Sequence, residues 1–475
     1  MAFCEFRFLV FFLVVFSIYW ILPRNVLRKT WLLGCSFAFY AAWDWRFLSL
    51  IILSTLVDYL AGIGLASTSR VMYRRALLAI SLTTNLGMLA FFKYFGFFVE
   101  SCREFMQTLG LPFDTYTLNI ILPVGISFYT FQTLSYTIDV YRGKLTPCRN
   151  LLNFALFVSF FPQLVAGPIV RARSFLPQLD RIRRWKWTRM QLGMFYIVMG
   201  LFKKLAIADR MACYCDPVFA DVAHYDTGTL WIAAVAFAVQ VYCDFSGYSD
   251  MAIGVASFLG YKLTKNFEMP LMAVNVSDFW RRWHISLSMW VRDYVFFPLG
   301  GSRHGHWITN RNLLITMTLV GLWHGADWTF VLFGLIQGIF LVVHGYFRMF
   351  CAGRPRLTAA LSNRPGTALR ITITFFSFCT SLAVFRANSV SDAVLMLQRM
   401  IVPSDGFGVP MNDRGFWYAL VVLWVAHFIG HHQKQLARAM DFVPAPVRGF
   451  GYASIFTLAL VLSPEIDQAF IYFQF

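Results

Sequence analysis

Charge is scarce in this chain: Asp, Glu, Lys and Arg make up 14% of its residues, and acidic side chains are the rarer kind, 24 against 41 Lys and Arg. So little polarity excludes a set of soluble domains, although 475 residues would suffice for two or three. Internal repeats, low-complexity tracts and any polar stretch long enough for a soluble domain are also missing. A single membrane domain over 1–475 is the economical reading. Cysteine is present nine times but without a paired metal-ligand spacing. Cys35, Cys243 and Cys379 lie in apolar runs, and Cys213 and Cys215 are too close together for a CxxC pair, so neither a redox nor a metal role is assigned.

Apolar residues are abundant, at 58% of the chain with a mean hydropathy of +0.59. Phe alone occurs 51 times, which suits lipid-facing helices and aromatic belts. The fold class expected is all-α, a polytopic integral membrane protein. The net charge of +17 resembles that of a nucleic-acid binder, but the basic residues are spread through short loops between apolar runs. That distribution points to membrane topology and away from nucleic acid.

A span takes about 20 apolar residues, fewer where the bilayer is thin. Spans are expected near 6–22, 31–43, 47–66, 76–98, 118–140, 190–206, 230–256, 312–326, 328–347, 371–386, 416–432 and 449–463, about 12 in all. The first has bulky residues where a signal peptide would have small ones, and it is read as retained. The loops after the first, third and fifth spans are basic, whereas the 99–117 loop carries Glu100, Glu104 and Asp114 against Arg103. Both termini are therefore expected outside, with 31 of the 41 Lys and Arg in cytoplasmic segments. Lys203 and Lys204, at the outer end of a span, are the main exceptions: they snorkel, face a cavity, or mark a wrong boundary.

The stretch 151–170 breaks the alternation, because basic loops flank it on both sides. With Pro162, Gly167 and Pro168 inside, it is expected to be a re-entrant segment whose backbone is satisfied by protein or by water in a cavity. The span 230–256 carries Asp244 and Asp250, each of which needs a polar partner or water; they either orient an imidazole or stabilise helix packing. Asp58 and Gln132 are buried polar residues of the same sort. His304 and His306 in a Gly-rich basic loop, and His431 and His432 at a helix end, are expected to be solvated.

Two stretches carry candidate chemistry. Ser277 to Phe297 is expected to form one interfacial helix, with Phe279, Trp283, Leu287, Trp290 and Tyr294 on one face and Arg281, Arg282 and Arg292 on the opposite half. His284 lies on its flank. The second stretch, Leu314 to Gly345, places His324 between Trp323 and Gly325, with Asp327 three residues on. Thirteen residues beyond Arg311, at a helical rise of ~1.5 Å, it is expected about 20 Å deep in a hairpin. An imidazole there is either a core residue satisfied by a carbonyl or a base at membrane depth.

SDFWRRWHISLSMWVRDYVFFPLGGSR followed by GLWHGADWTFVLFG resembles the signature of the membrane-bound O-acyltransferase family, in its bacterial branch of alginate O-acetylases and D-alanyl transfer proteins. LPVGISFYTFQTLSYTIDVYRG, FFPQLVAGPIVRA and the C-terminal FIYFQF are similar to the same branch. The resemblance implies that His324 is the intramembrane catalytic histidine and His284 the second characteristic one. It also implies a place for this chain in the bacterial inner membrane, a tunnel, a cytoplasmic acyl donor such as acetyl-CoA with no bound cofactor, an exported polysaccharide as final acceptor, and a separate periplasmic or membrane-anchored partner protein. Gln337 departs from it, standing where relatives often have a histidine.

Acyl transfer from a thioester to an alcohol gains from a base that takes the hydroxyl proton, and imidazole, with a reference pKa of about 6.5, suits that task. The oxyanion needs a donor, for which His284, Trp indoles such as Trp323, or amides of the re-entrant segment are candidates. Arg281 and Arg282, with the arginines of 171–189, are candidates for attracting an anionic donor, though the positive-inside rule accounts for them equally. Asp244 and Asp327 are further candidates for the substrate path. The readings kept open are acetyl transfer to a polymer such as alginate or cellulose, D-alanyl transfer to a teichoic-acid-like polymer, a transporter, and a silent scaffold for a partner acyltransferase.

Overall fold

The computed structural model describes the chain apart from residues 112–117, 119, 166, 409–413, 432–442, 465–469 and 472–475. Asp114, Ala166 of the re-entrant segment, His432 and the last four residues of FIYFQF thus lie outside the described residues. What is described is helical, with one isolated bridge between Tyr225 and Phe407. Among the described residues six helical runs are long and apolar enough to cross a membrane: Asn25–Ser67, Val71–Thr108, Trp187–Ala220, Thr227–Phe258, Trp328–Ala352 and Arg364–Arg386. Phe6–Ile21 and Ala445–Val461 are shorter apolar helices. The first of the long runs holds two expected spans, joined by a short turn at Trp45–Phe47.

The chain divides into two compact units. Unit one is Met1–Ile197 with Met251–Thr264. It contains α1 (Phe6–Ile21), α2 (Asn25–Asp44), α3 (Leu48–Ser67), α4 (Val71–Leu89), α5 (Phe95–Thr108), α6 (Ile126–Tyr141), α7 (Leu151–Ser159), α8 (Phe161–Leu164), α9 (Ala172–Leu179) and most of α10 (Trp187–Leu201). Asp58, fully buried on α3, explains how three of these helices hold together. It accepts hydrogen bonds from Ser81, from Asn85 at 2.7 Å and from Thr137 at 2.6 Å, on α4 and α6. A buried carboxylate needs that many donors.

The span expected at 118–140 becomes helical only at Ile126. Pro123 cannot continue a helical ladder upstream, and Gly125 turns the chain with φ 77°, where a Cβ would stand 2.6 Å from the Leu164 carbonyl oxygen. The expected re-entrant segment is an interrupted, buried backbone: α7 ends at Ser159 and the four-residue α8 follows. Protein supplies its hydrogen bonds, as the expectation required. Phe161 N–H donates to Ser36 Oγ at 3.1 Å, and the Phe157 carbonyl accepts from Gln163 at 2.7 Å and from Gln132.

Unit two is Val198–Asp250 with Lys265–Phe475. It holds the end of α10, α11 (Asp209–Ala220), most of α12 (Thr227–Phe258), α13 (Val276–Arg282), α14 (Ile285–Val291), α15 (Gly305–His324), α16 (Trp328–Ala352), α17 (Pro355–Ser362), α18 (Arg364–Arg386), α19 (Val390–Ile401), α20 (Arg414–His431) and a last helix, Ala445–Val461. Three expectations change here. The span at 190–206 does not stop, because a wide-turned stretch at Phe202–Ala208 carries it into α11 and makes Asp209 and Asp216 helical. The stretch between the spans expected at 328–347 and 371–386 is largely helical, with Arg348 on α16 and Arg370 on α18. The interfacial helix is not one helix: it breaks at Trp283 and His284, and His284 adopts left-handed φ 41°.

Lys203 and Lys204 are explained by their partners. Lys203 Nζ lies 2.6 Å from Asp250, and buried Lys204 Nζ lies 2.7 Å from Asp209 and 2.9 Å from Asp244. The loop-charge exceptions are therefore ion pairs made possible by the longer helix. In the α15–α16 hairpin a Cβ on Gly321 would stand 2.1 Å from the Phe330 carbonyl oxygen, so glycine lets the two helices meet next to His324.

Candidate active site

His324 is the last residue of α15, and Gly325 leaves the helix in extended conformation. Its ring is buried among Trp323, Phe333 and Phe385, with centroids 5.0, 6.1 and 5.5 Å away. Asp327, three residues on, caps α16, accepting from Thr329 N–H at 2.8 Å and from its hydroxyl at 2.9 Å. Both bonds fall on its Oδ1.

His284 is fully buried, edge-on to Phe245 at 4.6 Å. Its ring centroid is also 5.7 Å from that of Trp323, so one indole lies against both imidazoles. What places it there is Asn266, which no motif or periodicity marked. The main-chain carbonyl of Asn266 accepts from Ile285 N–H at 2.9 Å, and its side-chain oxygen accepts from Ser286 N–H at 3.2 Å and from the Ser286 hydroxyl at 2.9 Å. Asn266 thus satisfies the first two backbone N–H groups of α14, and Glu268 N–H bonds the Arg282 carbonyl at the end of α13 at 2.9 Å.

The same oxygen lies 3.2 Å from His284 Nδ1. A backbone N–H can only donate, so the Asn266 atom that meets Ser286 N–H is the amide oxygen, and His284 Nδ1 must donate to it. In the neutral ring Nε2 then carries the lone pair. His284 falls between the candidate spans, and burial, reinforced by neighbouring His324, holds its imidazole well below the usual histidine range. With this tautomer a neutral His284 offers Nε2 as a hydrogen-bond acceptor.

The other expected residues fall elsewhere. Asp244 pairs with Lys204 and accepts from Ile471 N–H at 2.7 Å; its neighbour Phe245 is the one that touches His284. Arg282 pairs with Asp278 at 3.0 Å one turn back on α13, and Arg281 is exposed. Gln337 accepts from Trp280 Nε1 at 3.1 Å and donates to Ser381 at 2.7 Å, so it ties α13 to α16 and α18. The expected aromatic face of Phe279, Trp283, Leu287, Trp290 and Tyr294 is buried despite the break. His304, His306 and His431 are exposed, as expected. A third buried imidazole, His427 on α20, was not singled out from sequence; it contacts Tyr242 at 4.9 Å and bonds the Leu423 carbonyl at 2.9 Å.

Two buried imidazoles beside an indole, one with a fixed tautomer, form a site suited to proton acceptance in apolar surroundings. Residues 37–385 match the model of the membrane-bound O-acyltransferase family. A probable alginate O-acetylase AlgI of Azotobacter vinelandii is 38% identical over 408 residues, covering 85% of this chain and 79% of that protein. A peptidoglycan O-acetyltransferase of Helicobacter pylori is 36% identical over 403 residues, covering 78% and 73%. A teichoic acid D-alanyltransferase of Bacillus subtilis is 26% identical over 391 residues, covering 78% and 96%. With these matches and its long apolar helices, the chain is a multi-pass membrane acyltransferase and belongs to the membrane-bound O-acyltransferase family.

Proposed function

We propose that the protein transfers an acetyl group from a cytoplasmic thioester, acetyl-CoA by its chemistry, across the bacterial inner membrane for O-acetylation of an exported polysaccharide such as alginate or cellulose. The observation that carries this is the pairing of His284 and His324 about Trp323 in a chain similar to O-acetylases along most of its length. The whole chain acts as one acyltransferase domain, since the family match takes in parts of both units. About 12 spans with both termini outside fit the loop charges, and a separate extracytoplasmic partner completes delivery to the polymer.

His324 takes the proton of the acceptor hydroxyl as its oxygen attacks the thioester carbonyl. The C–O bond forms, the C–S bond breaks, and the imidazolium returns the proton to the departing thiolate. His284, restrained by Asn266, orients the hydroxyl through the Nε2 lone pair. The indole N–H of Trp323, which can only donate, faces the developing oxyanion. His324→Ala is expected to abolish polymer O-acetyl groups while the protein still accumulates in the membrane. Chemical analysis of the exported polymer decides it: normal acetylation by a folded variant would falsify the assignment. Identifying the ester on the wild-type product separates acetyl from D-alanyl transfer, and flux into vesicles without thioester consumption would favour a transporter.

A further inference from the structure

α16, α17 and α18 enclose a cavity of about 440 Å³ that shares no residue with the surroundings of the two histidines. It falls in the roughly 300–1,000 Å³ range of small-molecule sites. Its walls are largely apolar, and Val343, Phe347, Leu369 and Ile373 are exposed, so it is a groove open at the surface of the helices. Three groups that carry or can acquire positive charge face into it. His344 and Arg348 lie four residues apart on α16 and so share a face, and Arg370 comes from α18. Among the described residues no carboxylate lines the groove. Arg370 spends one N–H on the Leu361 carbonyl at 3.4 Å, which leaves most of its donors for something else.

Positive-inside charge explains why arginines stand near these helix ends, but not why they converge on an open apolar groove without a counterion. Guanidinium groups next to hydrocarbon are stabilised by an anion, and an exposed apolar floor by an alkyl chain. One class of molecule supplies both, a phospholipid, whose glycerol backbone carries a phosphate headgroup beside its acyl chains. We propose that this groove binds an anionic phospholipid, its phosphate on Arg348 and Arg370 and an acyl chain along Val343, Phe347 and Ile373. Acetyl-CoA has the phosphates but only a two-carbon acyl group, and it leaves the apolar floor uncovered.

The test uses the full-length protein purified in detergent and native mass spectrometry with phosphatidylglycerol or phosphatidylethanolamine added. Wild-type protein is expected to hold phosphatidylglycerol about tenfold more tightly, because the ammonium of phosphatidylethanolamine offsets the attraction of its phosphate for the two arginines. The variant Arg348→Gln/Arg370→Gln should lose that preference. Ile373→Trp keeps the charges, fills the groove from an exposed position that leaves the fold intact, and should weaken both lipids. Equal retention of the two lipids by wild-type protein, or phosphatidylglycerol binding unchanged in Ile373→Trp, overturns the proposal. So does full displacement of the lipid by millimolar inorganic phosphate or acetyl-CoA, which would assign the arginines to a soluble anion.

Discussion

Asn266 is where a single residue decides most. Asn266→Ala leaves the buried Ser286 N–H without its acceptor and frees His284 to change tautomer. The expected result is a loss of about 1–3 kcal/mol in stability together with at least a tenfold fall in kcat at little change in KM. Asn266→Asp provides the sharper readout. A carboxylate beside Nδ1 stabilises the imidazolium and raises the pKa of His284, so the ring is protonated at higher pH. The acid limb of the pH–rate profile should therefore move upward; an unmoved limb would show that Asn266 does not act through His284.

His284 itself combines two burdens, a left-handed backbone and a buried ring. A non-glycine residue at φ 41° costs on the order of 1–3 kcal/mol. His284→Gly removes that strain, whereas His284→Ala keeps it. Both variants should lose acetyl transfer, and thermal unfolding in detergent should rank the glycine variant above the alanine one. The reverse ranking would mean that the helix break is not set at this residue.

Among the elements, the C-terminal segment and the α10–α12 pair stand out. Ile471 N–H donates to Asp244 at 2.7 Å, Phe470 stacks on Tyr248 at 4.3 Å, and Arg210 holds the Leu462 carbonyl at 2.5 Å. Phe470 also lies 6.3 Å from Phe245, which packs on His284. Ending the chain at residue 469 is thus expected to lower transfer activity by more than its effect on membrane levels, when both are measured on the same preparation. Lys204→Met tests the neighbouring ion pairs. It leaves Asp209 and Asp244 buried without their cation, and thermal unfolding should report a loss of about 3–5 kcal/mol.

For the whole molecule, loop charge makes a prediction that exposure in the structure renders practical. Cys102 is exposed on α5 next to the loop expected outside, and Cys351 is accessible near the α16–α17 junction expected inside. In single-cysteine versions, a membrane-impermeant thiol reagent added to intact spheroplasts should label Cys102 and spare Cys351 until the membrane is opened. Labelling of both, or of Cys351 alone, would refute the orientation.

Membrane class, helical content and the pair of histidine motifs were legible in the residues themselves, because hydrocarbon penalises polarity locally and each apolar run or costly imidazole declares itself within a window of 20 or so residues. The helical wheel even found the buried aromatic face of 279–294, since the break at His284 changes direction without exposing that face. Two things depended on contacts between residues far apart in the chain, and no periodicity contains those. Lys204 looked misplaced until Asp209 and Asp244 came beside it. The tautomer of His284 was set by Asn266, 18 positions away, through an oxygen that also accepts from the backbone. Burial cost is a property of each side chain, so sequence alone determined what must be satisfied; which group satisfies it is a matter of geometry, which only the tertiary structure decided.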